Sequence, residues 1–141
     1  MGISRGTSRA GIVTRMAIML AGLWVLAACS SGPPEPAIPA EAGFSSWFDN
    51  GADGRYVLPV IGGALPAAVR DGMWGRVLTD SDCAPDAAGL NHCHNIIELS
   101  DGSRITVTNN HQMTRHRCLK PGETVRLGLL KDNWITVHTR T

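Results

Sequence analysis

From Met73 onward the chain alternates apolar with polar residues, and this period of two limits what it can fold into more than any other feature. In 104–108, Ile105 and Val107 alternate with Arg104, Thr106 and Thr108, and in 124–129 Val125, Leu127 and Leu129 share a face. A two-residue repeat places alternate side chains on opposite faces of an extended strand. Three more runs read as strands: 74–79, 95–99 and 134–138. Turn chemistry separates them. Ser100-Asp101-Gly102-Ser103 folds the second and third strands into a hairpin, and Lys120-Pro121-Gly122-Glu123 places Pro and Gly where a type II turn needs them. Lys131-Asp132-Asn133 turns the chain into the last strand. One flat sheet of five short strands could not bury both Trp74 and Trp134 with the aliphatic rows. The expected fold is therefore all-β, a small five-stranded barrel.

That barrel occupies residues 73–141, and its pattern resembles the small barrels of the OB or SH3-like kind. Residues 44–72 are less regular. Asn50-Gly51 and Asp53-Gly54 are turn signals, so 44–48 and 55–60 form a loose hairpin, or the aromatic residues here lie on the barrel as a wrapped arm. Residues 29–43 include Pro33, Pro34, Pro36 and Pro39 with little to bury, the composition of an extended tether.

The first 28 residues have a different logic. Arg5, Arg9 and Arg15 are their only charges, and an apolar run, 16–26, leads into Leu26-Ala27-Ala28-Cys29. Positive, apolar, then small residues is the order of an export signal, and the apolar run is too short for the roughly 20 residues of a membrane span. A Cys directly after Leu-Ala-Ala resembles the lipobox of bacterial lipoproteins. The resemblance implies cleavage before Cys29, acylation of its thiol, and a palmitate-type anchor on the exported face of the membrane. Ser30 after the Cys resembles the outer-membrane sorting pattern where a cell has two membranes, with the domain facing the periplasm.

Three of the 13 basic residues lie in this leader, so the +1 charge of the whole chain becomes a small acidic excess after cleavage. That balance excludes a nucleic-acid binder, which needs a basic face. The expected partners are the membrane, through the lipid, and another envelope protein or a glycan.

Beyond Cys29 the cysteines are Cys83, Cys93 and Cys118. Outside the cytoplasm thiols oxidise, so one pair is expected and one thiol is left over. Cys83 and Cys93 flank the irregular stretch between the first two strands, whose ends must approach if those strands pair. The expected bridge is therefore Cys83–Cys93. Four of the five histidines lie between Cys83 and Cys118. The loops before the second strand and after the third leave from one end of an antiparallel barrel, which brings His94 towards His111, Met113 and His116. Imidazoles with a thioether would make a soft site for copper or zinc.

The sequence contains no Gly-x-Ser-x-Gly elbow, His-Glu-x-x-His pair or phosphate-binding glycine loop. The reading is thus a lipid-anchored cell-envelope protein presenting a non-catalytic interaction or structural module without a cofactor. Two alternatives stand beside it: a metal-binding lipoprotein using the His/Met/Cys cluster, and a thiol-dependent redox protein or enzyme pairing Cys118 with His116 or His94.

Overall fold

The computed structural model describes residues 35–140, which belong to one compact unit. The expected signal peptide, Cys29 and the first part of the expected tether lie outside the described residues. The strands are β1 (Arg55–Gly62), β2 (Met73–Val77), β3 (Asn91–Leu99), β4 (Arg104–His111), β5 (Thr124–Lys131) and β6 (Trp134–Thr139). They close into an antiparallel barrel in the order β1-β4-β3-β2-β5-β6, with β6 returning to β1. Strands β2 to β5 form a Greek key, because β5 comes back beside β2.

The barrel thus has six strands rather than the five expected, and the additional one is β1. Its run from Tyr56 to Val60 is buried throughout and contains Pro59, so it shows no alternation. Tyr56, Leu58 and Val60 join the core. The other face is covered by the segment before it, which makes three short 3-10 turns and stacks Trp47 on Trp134 at 5.9 Å. Rather than pairing with 44–48, β1 pairs with β4 and β6. Part of the Pro-rich tether is also held: Trp47 Nε1 donates to the Pro36 carbonyl at 3.1 Å, and Glu41 pairs with Lys131 at 3.3 Å.

Inside the barrel, Ile97, Leu99, Ile105, Val107, Val125, Leu127, Ile135 and Val137 form the core with the β1 residues. Each large aliphatic side chain contributes roughly 1.5–3 kcal/mol by leaving water. Gly75 lies on the same inner face. A Cβ there would stand 2.8 Å from Leu127 Cδ1 and 2.9 Å from Ile97 Cγ2, so the aliphatic filling excludes a larger residue. The β3–β4 hairpin turns at Gly102, whose φ of 85° favours glycine, and its N–H donates to the Leu99 carbonyl.

Candidate functional site

One end of the barrel gathers the starts of β1, β3 and β5 and the ends of β2, β4 and β6. Two long connections close it. Residues 78–90 fold back onto β3, with Ser81 bridged to His94 and Pro85 to Asn91. The disulfide Cys83–Cys93 ties this loop to the wall, with a Cα–Cα distance of 4.2 Å, and is the expected pair. Residues 112–123 cross the same end. Leu119 is buried there, the Tyr56 hydroxyl donates to the Arg117 carbonyl, and Arg117 forms a two-pronged pair with Glu123 at 2.9 and 3.1 Å.

The crossing carries Cys118, a free thiol, to the disulfide. Ligand atoms of Asp80, Cys83, Cys93 and Cys118 all lie within 4.8 Å of one another. Asn95 Nδ2 donates to Asp80 Oδ1 and to the Thr79 carbonyl, both at 2.9 Å, which orients the carboxylate. Burial first, and then the Asp80 charge and its hydrogen bond, push the Cys118 thiol up to about 11. Near neutral pH it is therefore a protonated thiol. Two of the three sulfurs are bonded to each other, so this group would hold a thiophilic metal only after reduction.

The inward positions at this end are polar where the rest of the barrel is aliphatic. Asn95, Asn109 and His111 are fully buried, and Asn95 Oδ1, both amide atoms of Asn109 and His111 Nε2 have no hydrogen-bond partner among the described residues. His111 Nδ1 lies 3.2 Å from the Asn109 carbonyl. A carbonyl only accepts, so Nδ1 carries the proton and Nε2 presents a bare lone pair. Burial lowers the His111 pKa and keeps the ring neutral.

The four residues expected to form a metal site do not meet. His94 pairs across the ladder with Thr108, and on β4 His111 is an odd number of residues beyond Thr108, so the two rings take opposite faces of the wall. His94 faces outward to Asp82 at 3.1 Å, whereas His111 is enclosed beside Tyr56. Met113 is exposed in the turn after β4, and His116 packs next to Gly51. Asp80, Asn95 and Asn109 have no role in what the sequence leads one to expect. The available signal was Asn109-Asn110, two amides interrupting apolar alternation at the end of β4.

A second feature lies on the outer wall. Trp74 on β2 is 40% exposed and directly opposite Arg126 on β5. The guanidinium carbons of Arg126 and Arg140 lie 5.2 and 4.9 Å from the indole ring. Beside them runs a shallow groove lined by Trp74, Arg76, Glu98, Ser100 and Thr124. Glu98 is taken by Arg104 at 3.0 Å. Among the described residues, no carboxylate lies within 4.0 Å of Arg76, Arg126 or Arg140.

Fold and site together define a small closed antiparallel β-barrel, with one end fastened by a disulfide and an arginine-flanked tryptophan on its wall. Comparison with family models, curated proteins and solved structures found no match.

Proposed function

We propose that this chain is a lipid-anchored cell-envelope protein whose barrel is a non-catalytic interaction module, and that the Trp74 face binds an acidic glycan. The observation that carries the reading is Trp74 with Arg126 and Arg140 against its ring. Stacking on one indole holds two guanidinium groups close together with N–H donors left over, an arrangement suited to carboxylates along a polymer. Below its polar end the barrel interior is filled by aliphatic side chains, which favours the outer wall as the recognition surface. The resemblance to OB and SH3-like barrels supports this by analogy, since OB-folds bind oligosaccharides on a strand face. Leu26-Ala27-Ala28-Cys29 supports the anchor.

Tryptophan fluorescence titration with polygalacturonate, and with dextran as the neutral control, tests the ligand. Binding should favour the uronate polymer, weaken with salt, and fall about tenfold in Arg126→Ala/Arg140→Ala, which removes two exposed guanidinium–carboxylate contacts of up to about 1 kcal/mol each. Equal affinity for dextran, an unaffected double variant, or tighter binding to an acidic peptide would overturn the glycan assignment.

A further inference from the structure

We infer that Cys118 exchanges with the Cys83–Cys93 disulfide, moving the bond to Cys93–Cys118 and releasing Cys83 as a thiol in the exposed loop 78–90. This rests on the closed end of the barrel and is independent of the Trp74 face. The geometry supplies both reactants: a free thiol held with its sulfur within 4.8 Å of both disulfide sulfurs. In the step, the Cys118 thiolate attacks Cys93 Sγ and a Cys93–Cys118 bond forms. The Cys83–Cys93 bond breaks, and Cys83 leaves as a thiolate that takes up a proton equivalent to the one Cys118 gave up. One disulfide and one thiol are present before and after, so no oxidant or reductant is consumed.

Burial sets the direction of attack. Cys93 is fully buried on β3, whereas Cys83 sits in a loop whose neighbours Asp82 and Ala84 are exposed. Attack on Cys83 would expel a thiolate into the barrel interior, where desolvation opposes the charge. Attack on Cys93 expels it towards water. Asp80 faces both ends of the exchange. A carboxylate oxygen lies within 4.8 Å of the Cys118 sulfur, and Oδ1 lies 3.5 Å from Cys83 Sγ. Its negative charge therefore opposes a thiolate at either sulfur, and Asp80 restrains the exchange.

The surrounding charges fix the pH dependence. Asp80 from the β2–β3 loop opposes the Cys118 thiolate, and Arg117 on the same crossing favours it, with Glu123 paired to Arg117. Tyr56 on β1 and neutral His111 on β4 complete the group. With the thiol held up to about 11, the reactive thiolate is scarce near neutral pH and increases tenfold per pH unit below that value. The exchange is thus slow at pH 7 and about 100-fold faster at pH 9.

The test uses Cys29→Ser full-length protein, so that no other thiol competes, alkylated without reductant by N-ethylmaleimide at pH 7 and pH 9. Acid quenching and non-reducing peptide mapping then locate label and bridge. The expected product is alkylated Cys83 with a Cys93–Cys118 bridge, formed at a rate independent of protein concentration. Its pH profile should shift to lower pH in Asp80→Asn, and Cys83 labelling should be absent in Cys118→Ser. Label on Cys118 alone with Cys83–Cys93 intact at both pH values, or a rate proportional to protein concentration, would overturn the inference.

Discussion

Asn50 holds Val57 as a neighbouring strand would. Its Oδ1 accepts the Val57 N–H at 2.7 Å, and its Nδ2 donates to the Val57 carbonyl at 3.1 Å and to the Asn110 carbonyl at 2.8 Å. Counting on from the pair Val60↔Val107, Val57 and Asn110 would face each other, so one side chain continues the ladder where β1 and β4 part. Asn50→Ala leaves three buried backbone groups unpaired and should cost about 2–4 kcal/mol. Urea denaturation should show a lower midpoint with an unchanged slope.

Gly75→Ala tests the filling of the barrel. The new methyl would press on Leu127 and Ile97 from the inner face, and overpacking of this kind costs about 1–3 kcal/mol. The same denaturation measurement should show that loss. A Gly75→Ala protein as stable as the parent would mean that the interior yields more readily than its packing indicates.

His92 gives the fold an acid-side stabilisation. Nδ1 faces Asn110 Oδ1 at 2.7 Å and Nε2 faces Asp86 Oδ2 at 3.0 Å, two acceptors that favour a doubly protonated ring. Burial pulls the His92 pKa down, but these bonds and the Asp86 charge more than offset it, and the net shift is upward. Asp86 is shifted downward by hydrogen bonds from the Leu90 amide and from His92. The histidine's contribution is fully present below its unfolded pKa of about 6.5 and is lost as pH rises through the higher folded value. The aspartate's is present above its unfolded pKa of about 3.9 and is lost as pH falls through the lower folded value. The pair stabilises most between those limits. His92→Gln should lower the melting temperature more at pH 5.5 than at pH 8, measured by circular dichroism.

The proposed anchor is tested at Cys29. Cys29→Ser should abolish incorporation of a palmitate analogue and leave unprocessed precursor. Labelling and membrane fractionation equal to the parent would remove the lipoprotein reading.

The sequence showed the β3–β4 hairpin because Ile105 and Val107 alternate cleanly and Gly102 marks the turn. It did not show where β3 starts or β4 ends. Asn91, Cys93, Asn109 and His111 point inward there, so the apolar half of the alternation disappears while the strands continue. A strand that ends at Thr108 makes His111 a loop residue, free to turn towards His94. In the ladder, its parity fixes it inside. Pro59 and burial on both faces concealed β1, whose partners lie far away in sequence. The disulfide was readable because two cysteines flanked one connection. The approach of Cys118 was not, since it depends on how residues 112–123 cross the barrel end.

Ring closure also determines the order of events when the chain is made. Among the six strands β1 is synthesised first, yet it pairs only with β4 and β6, with Arg55 opposite His138. Its longest ladder must wait until β6 has appeared, while β3 and β4 can join as soon as their tight turn forms. Contacts between such distant segments form slowly, because closing a long loop costs entropy before any pairing offsets it. The first strand made is thus the last to be fully placed, and until then β1 and the flank of β4 that will receive it are exposed edges.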